Sequence, residues 1–284
     1  MRALRNGHTD ALHRMYRNFF RDPCGAGLVG VPFGNRKAYF RRKMKDVHRR
    51  AYLGDALYRL DYWNSRTGGG FDLHDLAAPN IGNPYGILLN DTLIRFSAEY
   101  HHDCAHEILK LNSTRRVVAE IGGGYGALAY YLLRDGGKLT YMDFDVPESI
   151  ALASYYLLKA FPSRNFTLYG EREFTEEAIA ASDALLLPSF AMQKIPSGIV
   201  NVTLASHVLS DLSRDARAAY TDFVSRSTQD HFVYFGSEAG VASLFRLLQT
   251  SCGCAHPQLR ASDWNRHKVP DFREVQVTYR FPGK

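Results

Sequence analysis

The sequence lacks any run approaching the ~20 consecutive apolar residues that a membrane-spanning helix needs. Cysteine is scarce. Cys24, Cys104, Cys252 and Cys254 are the only four in 284 residues, too few for a disulfide scaffold in a chain of this size. Cys252-Gly253-Cys254 has no second pair at zinc-site spacing, so the thiols read as free, as in a reducing compartment, and a cytoplasmic location is expected. The first ten residues carry Arg2, Arg5 and Asp10 without an apolar stretch, so no secretory signal is expected. There is no internal repeat, low-complexity tract, zinc-finger pattern or RNA-binding aromatic motif.

What is present suits a globular chain. Hydrophobic residues make up 45% and charged residues 23% of the sequence, enough apolar material for a sizeable core. The net charge is +6, and the excess is concentrated in Arg36, Lys37, Arg41, Arg42, Lys43, Lys45, Arg49 and Arg50. Such a run suits a nucleic acid or an anionic ligand, but a solvated helix face is the simpler reading, so nucleic acid is not the favoured partner.

The chain divides by pattern into residues 1–115 and 116–284. In the first part, residues 36–63 read as one or two helices with Ala51, Leu53, Ala56, Leu57, Leu60 and Tyr62 facing inward, and residues 93–111 as another helix. From Arg116 onward, strands alternate with helices. Strands are expected at 117–121, 138–143, 166–169, 184–187, 199–205, 231–235 and 274–281, and helices at 127–133, 146–161, 215–225 and 241–249. This is an α/β fold, a mostly parallel seven-stranded sheet covered on both faces, with an N-terminal helical cap at the carboxyl ends of the strands, where ligands of such sheets bind.

One segment carries the chemistry. Val117-Val118-Ala119-Glu120-Ile121-Gly122-Gly123-Gly124-Tyr125-Gly126 is a strand feeding a glycine turn and then a helix. Glycines let a ligand approach the main chain, but the pattern alone fits a dinucleotide as well as S-adenosylmethionine. Glu120 separates the two. A pyrophosphate would meet a like charge there, whereas the ammonium and sulfonium of S-adenosylmethionine would meet an opposite one. A second acidic strand end follows in Tyr141-Met142-Asp143-Phe144-Asp145-Val146-Pro147-Glu148. Asp143 and Asp145 both lie at about the 20-residue spacing at which an acid accepts ribose hydroxyls. Asp145 also suits the N-cap of the following helix.

These residues resemble the class I methyltransferases, and within them the bacterial sugar O-methyltransferases. The likeness rests on Glu-Ile-Gly-Gly-Gly-Tyr-Gly at 120–126 and Asp-Val-Pro-Glu-Ser at 145–149, with Gly82-Asn83-Pro84, Tyr155-Tyr156-Leu157 and Asp271-Phe272-Arg273-Glu274 as further pieces. It spans roughly residues 80–280. It implies a Rossmann-like methyltransferase sheet that binds S-adenosylmethionine. By position, Glu120, Gly122, Gly124 and Gly126 would hold the methionine part, Asp145 the ribose, and Leu187, Pro188, Ser189 and Phe190 the adenine edge. The acceptor implied is a sugar or oligosaccharide hydroxyl, for instance on a mannoside polysaccharide precursor. Members of this group often carry a Ser-aromatic-x-Glu-Met stretch after the fourth strand. This chain has Ala205-Ser206-His207-Val208-Leu209-Ser210-Asp211-Leu212 and lacks that glutamate. Some sugar methyltransferases use magnesium, but no carboxylate cluster here has octahedral spacing, and no metal ligand is assigned.

A sugar hydroxyl needs a base before it attacks a methyl group. His207, after the fourth strand, is the first candidate because imidazole titrates near neutral pH. Glu238, after the fifth, is the second. Tyr62, Trp63, Tyr85 and Tyr100 could stack on a sugar, and His101 or His102 could reach the acceptor from the preceding helix, only one of them facing it. The competing readings are an NAD-dependent oxidoreductase, an RNA or small-molecule methyltransferase, and a cofactor-binding regulator without catalysis, for which the missing glutamate is the best support. A homo-oligomer is left open.

Overall fold

The computed structural model describes residues 7–22, 25, 28, 45–111, 116–207, 213–252, 257–271 and 273–281. Most of the basic run, residues 36–43, lies outside them, as do Cys24, Cys254 and the segment after His207. The chain separates into two compact units. One holds residues up to Cys104 together with Tyr155–Ala160, and the other Ala105–Ser154 with Phe161–Lys284.

The first unit contains helix α1 (Thr9–Arg17), helix α2 (Asp46–Thr67), a hairpin of β1 (Gly86–Leu89) and β2 (Thr92–Arg95), and the start of α3 (Ala98–Lys110). The expected helix at 93–111 begins only at Ala98. Asn90 and Asp91, at φ 47° and 60°, form a two-residue turn that pairs Leu89 with Thr92, the geometry that matches strand twist. Helix α2 also turns a different face inward. Asp55, Ala56, Arg59 and Trp63 are buried, whereas Leu53 and Leu57 are exposed. Apolar spacing misplaced this face because the interior is partly ionic. Arg59 Nε lies 3.7 Å from Glu99 Oε2, and Arg66 Nε lies 2.7 Å from Asp103 Oδ2. Burial pushes the Glu99 carboxyl up to about 7 despite the opposing charge of Arg59. Arg95, also buried, donates to the Tyr156 hydroxyl at 3.2 Å, which ties the end of the 147–160 helix into this unit.

The second unit is built on one sheet. Its strands are β3 (Arg116–Ile121), β4 (Leu139–Asp145), β5 (Phe166–Leu168), β6 (Ala184–Pro188), β7 (Val200–Ser206), β8 (Thr228–Ser237), β9 (Gln258–Ala261) and β10 (Glu274–Arg280). The helices between them are α4 (Ala127–Asp135), α5 (Pro147–Ala160), α6 (Glu176–Ala180), α7 (Arg214–Ser227) and α8 (Glu238–Cys252). The strand order is β5-β6-β4-β3-β7-β8-β10-β9, with only β10 antiparallel to its neighbours. The sheet therefore has eight strands, one more than expected. The extra one is β9, a short, fully exposed edge strand of sequence Gln-Leu-Arg-Ala, whose polarity hides it from a search for apolar runs.

Both faces are covered, so the central strands β4 and β6 are buried along nearly their whole length instead of alternating between buried and exposed. Ala119, Ile121, Met142, Phe144, Leu185 and Leu187 meet Phe223 and Val224 of α7 and Leu244 and Leu248 of α8 in one core. The Phe144 and Phe223 rings cross edge-on at 5.0 Å. The chain leaves β3 toward β4 on one side and returns to β7 on the other. The carboxyl ends of β3 and β7 thus flank the topological switch point, where ligands bind in open α/β sheets. No described helix is long and apolar enough to cross a membrane.

Candidate functional site

The carboxyl ends of β3 and β4 place three carboxylates together. In the parallel register Glu120 pairs with Asp143, and partners in register share a face. Tyr141 and Asp145, two residues either side of Asp143, fall on that face too. Glu120 is buried and its Oε2 accepts the Tyr141 hydroxyl at 2.6 Å. Burial, with Asp145 adding repulsion, pushes the Glu120 carboxyl up to about 7 against the opposing effect of the Tyr141 bond. Asp143 is fully buried and held well above the usual carboxylate range by the same burial and by the charges of Glu120 and Asp145. Burial also raises Asp145, less strongly, because the Val146 and Gly124 amides and Ser149 donate to it. Among the described residues no cationic side chain contributes to any of the three.

The glycine loop rests on these acids. Gly122, Gly124 and Gly126 have φ of 80°, 63° and 86°, the left-handed region that favours glycine. The Gly123 N–H donates to Asp143 Oδ1 at 3.1 Å and the Gly124 N–H to Asp145 Oδ2 at 2.8 Å. A Cβ on Gly123 would sit 2.6 Å from Asp143 Oδ1, whereas one on Gly124 would meet nothing within 4 Å. The loop thus packs down on Asp143 and opens outward at Gly124. Asp143 and Asp145, equivalent by spacing, differ in place. Asp143 is the buried tether under the loop, with Oδ2 lacking a hydrogen-bond partner among the described residues. Asp145 is the outer acid, and its Oδ1 also caps Val146 at the start of α5.

Beside the acids lies an apolar rim. Val146 after β4, Tyr169 after β5 and Phe190 after β6 are among the exposed large hydrophobics, Phe190 at 57%. Phe190 meets Tyr169 edge-on at 5.2 Å, and Lys194 Nζ stands 5.3 Å over the Tyr169 ring. Ser189 hydrogen-bonds Tyr220 of α7, whose hydroxyl feels the charge of Asp145. Tyr220 therefore links the ends of β4 and β6. It was missed in the sequence because it sits in mid-helix, 31 residues after Ser189, with no local motif.

At the ends of β7, β8 and β10 is a second polar group. His207 has φ 57°, donates its N–H to Phe235 O at 2.8 Å, and has a half-exposed side chain. Glu238 opens α8, with Arg273 Nη1 3.8 Å from its Oε2. Glu274, unremarked as a site residue in the sequence, lies 4.0 Å from His207 Nε2. Its place was legible in part, since the first residue of an antiparallel last strand returns to the carboxyl edge of a parallel sheet.

The candidates for acceptor contact lie in the first unit. Tyr62, Tyr85 and Tyr100 are half-buried. Tyr62 stacks on Tyr58 at 6.2 Å, and Tyr100 meets His101 edge-on at 5.3 Å. Arg21 covers one face of Tyr85, its guanidinium 3.9 Å from the ring centroid. His102 does not present itself to solvent. It is buried between Trp63 and Phe71, and its Nδ1 accepts the Trp63 indole N–H at 3.1 Å. His101 instead uses its Nδ1 on Ser97 O at 2.7 Å. Among the described residues no group of three His, Cys, Asp or Glu could hold a metal ion.

No family model and no curated protein matches the chain. Solved structures similar to part of it include the small RNA methyltransferase HEN1, at 12% identity and TM-score 0.44, over 64% of this chain and 25% of that one. The methyltransferase domain of bacterial CtHen1-CN is similar at 12% identity and TM-score 0.47, over 64% of this chain and 97% of that one. The N-methyltransferase NodS from Bradyrhizobium japonicum WM9, in complex with S-adenosyl-L-homocysteine, is similar at 12% identity and TM-score 0.42, over 65% of this chain and 87% of that one. The chain thus spans only a quarter of the length of the HEN1 chain.

Proposed function

We propose that this chain is an S-adenosylmethionine-dependent O-methyltransferase acting on a hydroxyl of a saccharide. The observation that carries the cofactor is the set of three carboxylates under an open glycine loop, with no cation among the described residues acting on them. A dinucleotide pyrophosphate would add negative charge to this end of the sheet. A sulfonium and an ammonium would neutralise it, in a setting where burial strengthens the charge interaction.

In this reading the Gly122–Gly126 loop, with Glu120 behind it, receives the methionine part. Asp145 accepts the ribose hydroxyls. Phe190, Tyr169 and Val146 offer an apolar edge for the adenine, with Ser189 and Tyr220 beside it. When bound, the cofactor supplies an electrophilic methyl group on a positively charged sulfur. The protein's own task is alignment and proton removal. Alignment of nucleophile and methyl carbon accounts for much of the acceleration expected of such an enzyme. His207 takes the acceptor's proton, and Glu238 is the second candidate for that role. Tyr62, Tyr85 and Tyr100 are the candidate aromatic contacts for a sugar ring. His102, buried between Trp63 and Phe71, is not given an acceptor contact in this reading.

The test is transfer of radiolabelled methyl from S-adenosylmethionine to a panel of mono- and oligosaccharides, with RNA as a parallel acceptor. Label in a saccharide, alkali-stable as an ether, is the expected result. Label in RNA alone, or release of S-adenosylhomocysteine with amine acceptors alone, would contradict the saccharide O-methylation.

A further inference from the structure

The three acids at the carboxyl ends of β3 and β4 are too close and too deep to be ionised together. Glu120 and Asp143 are partners in the parallel register, and they are 3% and 0% exposed. Asp145 adds a third negative charge that acts on both. The donors available to them are few. Tyr141 serves Glu120, the Gly123 N–H serves Asp143, and the Gly124 and Val146 N–H groups with Ser149 serve Asp145. Asp143 Oδ2 is buried with no hydrogen-bond partner among the described residues. The titratable groups that face one another here are Glu120 from β3, Tyr141, Asp143 and Asp145 from β4, and Tyr220 from α7, and among the described residues none is a cation. Buried carboxylates in such a setting hold protons where counter-ions are lacking, and they titrate as a unit. Asp145, the outer acid with three donors, is the first to ionise. Glu120, which keeps its proton until about pH 7, is next.

We propose that this cluster exchanges a proton for the cofactor's positive charge. S-adenosylmethionine binds with release of a proton from Glu120 or Asp143 to solvent, and the cluster takes a proton back from solvent once the charge on sulfur is gone. This rests on the reading of the cofactor and makes pH a regulator of that site. A cation brought into a low-dielectric site favours the ionised form of the acids around it, so the proton that leaves a carboxyl becomes part of the binding equilibrium. The sign follows. Below the pH at which the free cluster ionises, the free protein holds a proton that the bound protein lacks, so affinity for S-adenosylmethionine rises with pH. S-adenosylhomocysteine has the same ammonium and carboxylate but no sulfonium, so it displaces less of the proton. The preference for S-adenosylmethionine over S-adenosylhomocysteine therefore widens toward neutral pH, which favours replacement of the spent cofactor.

The test is calorimetric titration of the full chain with S-adenosylmethionine and with S-adenosylhomocysteine, each in two buffers of different ionisation enthalpy, from about pH 5.5 to about 7, below the ~7.7–8.0 at which α-amino groups titrate. The buffer dependence of the heat counts the protons released. The expected result is about 0.5–1 proton released per S-adenosylmethionine, a dissociation constant that falls about threefold to tenfold per pH unit, and a smaller release with S-adenosylhomocysteine. Glu120→Gln should cut the release by at least about half. Equal heats in the two buffers for S-adenosylmethionine would overturn the proposal on the wild-type protein alone, whatever the variants do. So would equal release by the two ligands, or a release that both Glu120→Gln and Asp143→Asn leave unchanged. Absence of binding by either ligand at every pH would instead overturn the cofactor reading itself, and this proposal with it.

Discussion

The Tyr141 hydroxyl donates to Glu120 Oε2 across 2.6 Å at the floor of the carboxylate cluster. Among the described residues it is the one side chain that hydrogen-bonds this buried acid. The bond is too little to hold Glu120 charged without a ligand, and burial wins. The acid therefore keeps its proton in the folded, ligand-free protein until about pH 7, whereas in the unfolded chain it loses it near 4.5. Between these values the folded state binds more protons than the unfolded one, so this contribution to stability falls as pH rises. Ligand-free protein should therefore lose stability from pH 5 to 8, by up to about 3 kcal/mol from this group. Glu120→Gln should reduce the slope, leaving the parts that Asp143, Asp145 and Glu99 contribute with the same sign. Thermal melts at stepped pH check this, and equal slopes in the two proteins would count against the protonated Glu120.

Two glycines of one loop should fail differently. In Gly123→Ala the new methyl collides with the Asp143 carboxylate, so folding stability should fall by about 1–3 kcal/mol through overpacking. In Gly124→Ala the methyl enters open space and the left-handed φ costs only about 1–2 kcal/mol. Its larger effect should be on S-adenosylhomocysteine affinity, weakened at least about tenfold where the ligand approaches the main chain. Melting curves and calorimetry on both variants separate the effects. Equal ligand affinity in Gly124→Ala and wild type would move the ligand away from this loop.

Phe190 should matter for ligand and not for fold. Being more than half exposed, it should change stability by less than about 0.5 kcal/mol when replaced by alanine. Loss of a ring under the adenine should weaken S-adenosylhomocysteine binding about tenfold, in line with stacking on an aromatic side chain. Unchanged binding would place the adenine elsewhere.

The first unit depends on its buried ion pairs. Asp103→Ala leaves the Arg66 guanidinium buried without the carboxylate that lies 2.7 Å away, and should cost about 3–5 kcal/mol. Urea unfolding measures it. A loss under about 1 kcal/mol would mean that Arg66 finds water or another acceptor.

How far the sequence reveals the protein differs between the two units. In the second, seven strands and the glycine loop were legible because central parallel strands are short apolar runs bounded by turn residues, and β9 escaped because an exposed edge needs no apolar residue. In the first, the buried face of α2 was misread because Asp55 and Arg59 occupy inner positions that apolar periodicity assigns to leucine. The hairpin was overlooked because Asn90-Asp91, its turn signal, lies within a stretch that otherwise reads as the approach to α3. At the site, Glu120, Asp143, Asp145 and the glycines are close in sequence and could be found together. Tyr220, Asn265 and Glu274 reach the sheet's carboxyl edge from distant elements, and only the folded chain shows their partners. Which of Asp143 and Asp145 faces outward was likewise beyond spacing, because it depends on how the loop packs over Asp143.

The most direct measurement is calorimetric titration of the purified chain with S-adenosylhomocysteine and, separately, with NAD. The expected result is micromolar binding of S-adenosylhomocysteine and none of NAD, with the first lost in Asp145→Ala. Binding of NAD alone, or of neither, would contradict a carboxylate-lined site for a sulfonium cofactor.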